Sequence, residues 1–271
     1  MGQSQEERII TLYDIPSNLP PKAWSLNMWK SRFALNFKGL PHKTYWVECP
    51  DIEPTMRAIG GAPTAKRADG SDLYTCPVIS DPGPGGHNTP VVISDSWNIA
   101  LYLDKAYPSG PLLFPSDTAV LQEVYIQKIE ELVQMPVLLL LLSFLPAYLN
   151  PPSVEFFVKA RELSLGLKLE DWCPEGAARE NAVKGLEIGL SKLAGLLDRH
   201  GDVERMFVAG DKPVYADLFL ASLLEFMRSI AEEEIWSLVK VWNGGRGTDF
   251  YPQLRASMGG SASRREASGV T

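Results

Sequence analysis

Histidine and cysteine are scarce in this chain. Its 271 residues hold three of each: His42, His87 and His200, and Cys49, Cys76 and Cys173. The cysteines are odd in number, widely spaced and without a CxxC pair, which argues against both a disulfide framework and a structural zinc site. No metal is expected, and a reducing compartment, the cytosol, fits this usage. An excess of positive charge is also missing. Lys and Arg total 26 against 33 Asp and Glu, a net charge of -7, so nothing electrostatic points to nucleic acid. An unbroken bilayer-length apolar run is absent too. The longest uncharged stretch, 132–154, is interrupted by Pro136, Pro146, Pro151 and Pro152, whereas a span needs about 20 predominantly apolar residues. A buried core helix is expected there, and no membrane span. The first residues have no apolar segment of the secretory type. What remains is an ordinary globular composition of a length that suggests two domains.

Strand and helix signals alternate in the first third. Residues 9–14, Ile-Ile-Thr-Leu-Tyr-Asp, read as a buried strand. A proline-rich loop follows, then a helical pattern over 26–38 with Leu26, Trp29, Phe33 and Phe37 on one face. Gly39 and Pro41 end it. Residues 44–48 read as a second strand, and 50–61 as irregular or weakly helical. Strands over 73–80 and 90–94 flank a Gly/Pro loop, 81–89, and predict an antiparallel hairpin. A helix is expected over 96–107. This βαβ half followed by a ββα half predicts a small mixed sheet with helices packed on it. The Pro- and Gly-containing stretch 108–115 reads as a linker. Beyond it strand signals stop, and helices are expected over 117–145, 153–168, 177–200, 215–231 and 233–242, packed as a bundle. The domains are thus expected at 1–107 and 116–254, with 255–271 a loose polar tail.

Three places could carry chemistry. Ser25 immediately precedes the first helix and is placed to cap it. With no histidine nearby in sequence to act as a base, Ser25 is expected to donate a hydrogen bond rather than attack. Asn27 is a second possible donor at that helix end. Cys76-Pro77 enters a strand; spacing alone does not indicate a cis bond there, and Cys76 reads as a buried small hydrophobe. Asp95-Ser96 opens the next helix, with Ser96 placed to cap it. The Asp95 carboxylate and the free N–H groups form a polar notch that could hold the ammonium and carboxylate of a zwitterion.

The order Ile-Thr-Leu-Tyr-Asp (10–14), Ser-x-x-x-Trp-Lys-x-Arg-x-Ala-Leu (25–35), x-Pro-Val-Ile (76–79) and Asp-Ser-x-x-Ile-Ala-x-Tyr-Leu-Asp (95–104) resembles the cytosolic glutathione transferase superfamily. It is most similar to the serine-type fungal FuA class, related to bacterial β-etherases. The resemblance covers roughly 8–242. It implies an α+β thioredoxin-like N-terminal domain followed by an all-α helical bundle, with glutathione as co-substrate on the first domain. Ser25, or Ser17 of the same loop, matches the thiolate-stabilising serine, with Asn27 beside it. Pro77 matches the family's cis-proline, and the Cys76 backbone would pair with the tripeptide, flanked by Val78. Asp95 and Ser96, with Trp97, match the residues that hold the γ-glutamyl end. Trp24, Met28 and the apolar run 138–148 with Tyr148 are candidate walls of an interdomain cleft for a hydrophobic or aromatic second substrate.

The energetics suit such a site. A free thiol has a pKa near ~8.5, and lowering it by one unit takes about 1.4 kcal/mol. A hydrogen bond to an anion supplies about 1.5–3 kcal/mol, and a helix N-terminus adds about 0.3–1 kcal/mol. The implied activity is glutathione transfer to aromatic electrophiles or aryl ethers, with peroxidase as a side activity, in a cytoplasmic homodimer. A ligandin-type carrier with little turnover, or a scaffold that keeps only the fold, are the alternatives. One departure stands out. Before the core helix the family has Ser or Thr, then two residues, then Asp, whereas here Val214 occupies that capping position ahead of Asp217. Losing the hydroxyl is expected to cost roughly 1 kcal/mol.

Overall fold

The structure is a computed structural model and describes residues 9–84, 89–199 and 206–257. The tail beyond 257 and residues 85–88 of the 81–89 loop, with His87, lie outside the described residues, as does His200. The chain divides between Leu113 and Phe114 into two compact units.

In the first unit, β1 (Ile10–Asp14) leads to α1 (Leu26–Phe37), β2 (His42–Trp46) and α2 (Ile52–Ile59). Then come β3 (Ala65–Lys66), β4 (Asp72–Leu73), β5 (Val78–Asp81), β6 (Val91–Ser94) and α3 (Ser96–Ala106). The main sheet has the order β2-β1-β5-β6. β1 is parallel to β2 and antiparallel to β5, and β5 is antiparallel to β6. This is the mixed thioredoxin-like sheet expected from the sequence. The apolar β1, paired on both sides, is buried along its length apart from Thr11, while edge strand β2 alternates with solvent.

Two details differ from expectation. The segment read as weakly helical contains the regular helix α2, entered through a turn at Cys49–Asp51 and closed by Gly60 in a left-handed conformation (φ 78°). Ile52 and Met56, one turn apart, are its buried anchors. The predicted strand over 73–80 is two strands. Asp72–Leu73 pairs with Ala65–Lys66 in a small separate ribbon, and only Val78–Asp81 joins the main sheet.

The second unit is helical. It comprises α4 (Ala119–Ile129), α5 (Met135–Leu141), α6 (Pro151–Leu165), α7 (Ala177–Asp198), α8 (Tyr215–Ile230), the short α9 (Ser237–Val239) and α10 (Arg246–Ser257). The expected loose tail from 255 therefore begins as the end of α10. Gly244, Gly245 and Pro252 hid this helix from a sequence reading, yet Phe250, Tyr251 and Leu254 bury one side of it.

The segment 119–147 is long and apolar enough, by length and composition, to cross a membrane (mean hydropathy 1.6). It is not one straight rod. A π turn at Glu130–Gln134 joins α4 to α5, and a 3-10 turn at Leu142–Ala147 ends the segment. Pro136 has no N–H to continue the i→i−4 ladder, and the widening falls just before it. Ile129, Val133, Val137 and Leu140 are fully buried. Opposite the widened turn sits Gly189 of α7. A Cβ there would lie 1.9 Å from the Leu132 carbonyl oxygen, so the two backbones touch.

The N-terminus of α8 answers the question that Val214 raises. Asp217, three residues on, accepts from Val214 N (2.9 Å) and Val208 N (3.1 Å). A valine side chain has no acceptor, so only this half of a capping box exists. The place of the missing hydroxyl is taken from another helix. Gln122 of α4 accepts from Ala216 N at 3.0 Å, its own amide held by Thr118 Oγ1 at 2.9 Å. An N-cap hydroxyl would satisfy the same kind of first-turn N–H.

Two predictions follow from these contacts, both read by urea unfolding. Gly189→Ala should destabilise by ~1–3 kcal/mol through overpacking against backbone. Gly185→Ala, on the same helix with open space around it, should stabilise by ~0.5–1 kcal/mol through lost unfolded-chain freedom. Gln122→Ala should cost ~1–2 kcal/mol, and Val214→Ser added to it should recover part of that loss while adding less to the parent protein.

Candidate active site

The chain direction brings the candidate residues to one end of the sheet. Tyr13 pairs with Val78, and Val78 with Ser94. The end of β1, the start of β5 and the end of β6 therefore lie side by side. α1 is the crossover between parallel strands β1 and β2, so its N-terminus starts from that same end, and α3 starts there directly after β6. Both helices point their N-termini, and with them the positive ends of their dipoles, that way.

Two buried ion pairs hold α1 in place. Arg32, 2% exposed, donates to Asp14 Oδ2 (2.7 Å) and to Thr44 Oγ1 (3.1 Å). Its guanidinium lies 5.6 Å from the Trp29 ring centroid and 5.8 Å from that of Trp46. The other oxygen of Asp14 accepts from Ile15 N at 2.7 Å. His42 sits in this region, and burial together with the Arg32 charge lowers its pKa to about 4. At the far end of α1, the Lys38 ammonium donates to Asp104 Oδ1 (2.8 Å) and Pro111 O (3.1 Å). Removing one partner of a buried pair typically costs about 3–5 kcal/mol, so these four residues are essential to where α1 begins. Their charge inside apolar runs was visible in the sequence; their pairing was not.

Ser25 stands at the N-cap position, but its side chain makes no capping hydrogen bond, contrary to expectation. Only its carbonyl serves the helix, accepting from Trp29 N at 3.0 Å. The residue is 7% exposed. Ser17 differs. Its hydroxyl donates to Lys22 O (2.8 Å) and accepts from Leu19 N (3.3 Å), so it is committed to folding the loop. Asn27 is exposed, and its carbonyl oxygen accepts from Lys30 Nζ at 2.9 Å.

The Cys76–Pro77 peptide is cis, the form the resemblance implied. Cys76 is 5% exposed, and burial, with Asp14 and Cys49 nearby, pushes its thiol pKa far up. It is a packed hydrophobe and no nucleophile. Val78 is fully buried in the core formed with Tyr13, Val47, Ile52 and Met56.

The α3 cap is Asp95, not Ser96. Asp95 Oδ1 accepts from Trp97 N (2.9 Å) and Asn98 N (3.2 Å), and Asp95 N donates to Pro77 O (3.2 Å). These bonds hold Asp95 at φ 79°, ψ 135°, a region that costs a non-glycine residue about 1–3 kcal/mol. Oδ2 is not used by the cap. Ser96, the first helical residue, and Trp97 are both half-buried.

The residues expected to wall a cleft fare differently. Met28 is 2% exposed and belongs to the same core as Val78, packed between helix and sheet; it is a core residue and not a wall. Trp24 is buried as well, at 5%. Tyr148 is half-buried and donates its hydroxyl to Ile230 O at 3.0 Å, tying its turn to the end of α8. Among the described residues no group of three His, Cys, Asp or Glu side chains could hold a metal ion.

Comparison with known proteins agrees with this architecture. Family models described as glutathione S-transferase N-terminal domain and C-terminal domain match residues 24–106 and 120–256. Glutathione transferase GSTFuA3 from Phanerochaete chrysosporium superimposes with a TM-score of 0.84 at 40% identity, covering 92% of this chain and 97% of that one. The glutathione S-transferase CsGST63524 of Ceriporiopsis subvermispora, crystallised with glutathione, gives 0.84 at 37% identity over the same shares. The glutathione S-transferase-like protein ustS of Aspergillus flavus is 29% identical over 245 residues, 88% of this chain and 87% of that protein. A fold with two helix N-termini converging on a cis-proline strand, both family models, and likeness to FuA-class fungal enzymes together establish that the chain belongs to the glutathione S-transferase family.

Proposed function

We propose that this protein is a glutathione transferase in which Ser25 stabilises the glutathione thiolate. The observation that carries this reading is the contrast between two hydroxyls. Ser17 is spent on its loop, whereas Ser25 stands at a helix N-terminus without using its side chain to cap it. A hydroxyl donor and a helix dipole both favour the anion over the thiol. Asn27, whose amide N–H groups face no acceptor among the described residues, is a second donor beside it. The Cys76 thiol does not compete, since its surroundings hold it protonated.

Glutathione itself is the substrate these groups hold. The backbone of Cys76, ahead of Pro77 and Val78, pairs with the tripeptide's backbone. The free Oδ2 of Asp95 takes the γ-glutamyl ammonium, and the Ser96 hydroxyl and backbone N–H take its carboxylate, with Trp97 alongside. The thiolate sulfur attacks an electrophilic carbon. A C–S bond forms, the leaving group departs with its electron pair, and the thiol proton has already gone to water. Hydrophobic or aromatic electrophiles, aryl ethers among them, are the proposed second substrates, with peroxide reduction as a side reaction. The working form is a cytosolic homodimer.

Conjugation of 1-chloro-2,4-dinitrobenzene across pH, together with glutathione saturation, tests the assignment. Ser25→Ala should raise the pH at which activity appears by about one to two units, the equivalent of a lost hydrogen bond to an anion. An unchanged pH–rate profile removes Ser25 from the role. Asp95→Asn keeps an effective cap but loses the charge. It should raise the KM for glutathione on the order of tenfold and leave the pH profile where it was. Tight binding of aromatic compounds without measurable turnover in the parent protein would overturn the enzymatic reading in favour of a carrier.

A further inference from the structure

The helical unit contains a cavity that no residue of the glutathione site lines. It offers about 60 Å³ to the centre of a water molecule, where one water needs ~10–15 Å³. That is room for a single six-membered ring. Leu190, Leu193 and Leu197 of α7, Leu220 and Leu224 of α8, and Phe250 of α10 are among the residues that line it. Leu220 is informative. It lies mid-way along α8, whose neighbouring positions are almost all buried, yet Leu220 itself is half-buried. A leucine facing a void in the most deeply packed helix is not explained by the packing of the bundle.

The polar groups on the cavity narrow its ligand. Arg246 is held by Asp198 Oδ1 (2.6 Å) and Ala194 O (3.3 Å), so its charge is already matched along the rim. Asp217, also on the cavity wall, has both carboxyl oxygens engaged by backbone N–H groups, and burial raises its pKa to about 7. Neither offers a counter-charge to an ionic ligand. Tyr125 of α4 also lines the cavity, and its hydroxyl makes no hydrogen bond among the described residues. The site therefore presents aromatic and aliphatic walls, charged groups already engaged by partners within the protein, and one hydroxyl with no partner among the described residues.

We propose that this cavity is a second ligand site, separate from the glutathione site, for small uncharged single-ring aromatics that carry one hydroxyl. The ring fills the space among the α7 and α8 leucines, and the ligand hydroxyl pairs with Tyr125. The assignment does not rest on the proposed transferase chemistry, because no residue named for that chemistry takes part.

Fluorine NMR titration of the full chain with 4-fluorophenol, in saturating S-hexylglutathione, tests it. A single saturable site is expected under these conditions. Ala194→Phe, which fills the cavity from α7, should weaken binding on the order of tenfold or more, with folding checked by circular dichroism. Tyr125→Phe, which removes one oxygen and leaves the packing intact, should weaken 4-fluorophenol about fivefold and leave fluorobenzene binding unchanged. Absence of a saturable site, displacement by S-hexylglutathione, or equal affinity in the parent and Tyr125→Phe would each overturn the proposal.

Discussion

A guanidinium buried between two indoles sets the geometry of the first unit. Arg32 binds Asp14 at the end of β1 and Thr44 on β2, with Trp29 and Trp46 against its faces. Two strands and the helix that crosses between them are thereby locked at one point. Such a pair contributes little net stability compared with an apolar packing, but either partner left alone is very costly. The arrangement therefore acts as a register pin. With Lys38 and Asp104 at the opposite end, it fixes where α1 starts, and hence where the Ser25 hydroxyl and the positive end of the helix dipole lie.

The sheet completes what the pin begins. Because β1, β5 and β6 pair in the observed register, the start of α3 arrives beside the start of α1. Asp95 is held in an unfavourable backbone conformation by the N–H groups of its own helix and by its bond to Pro77 O. The strain is localised where a short polar notch is wanted, and the surrounding hydrogen bonds hold it. One carboxylate oxygen serves the fold, and the other takes no part in the cap.

The helical unit shows the same economy of polar groups with a different solution. Val214 cannot cap α8, and Gln122 reaches across from α4 to satisfy Ala216 N. The first turn of the most buried helix is thus closed by a neighbouring helix as well as by Asp217. The widened turn before Pro136 is similarly matched by Gly189, which lets α7 meet a backbone carbonyl directly. Both features couple helix ends to tertiary neighbours, so the local sequence at either end looks defective when taken alone.

Much of this was legible beforehand. The apolar, β-prone run at 10–14, the apolar face of 26–37 and the Asp-Ser helix start at 95–96 are local patterns, and local sterics and burial decide them. The order of elements and the family followed from such patterns. What local pattern could not decide was the use of each polar atom. Ser25 and Ser17 look equivalent in sequence; only the folded loop engages one and spares the other. Ser96 looked like the cap until the backbone at Asp95 turned the preceding carboxylate onto the helix. Met28 read as a cleft wall because nothing in its neighbours says which way the helix faces the core. Gln122 lies 94 residues from the N–H it satisfies. Most of the secondary structure is set by interactions between near neighbours and by hydrophobic periodicity, which the sequence carries locally. Hydrogen-bond assignments and cavities arise where distant segments meet, and only the tertiary structure brings those segments within the few ångströms over which such forces act.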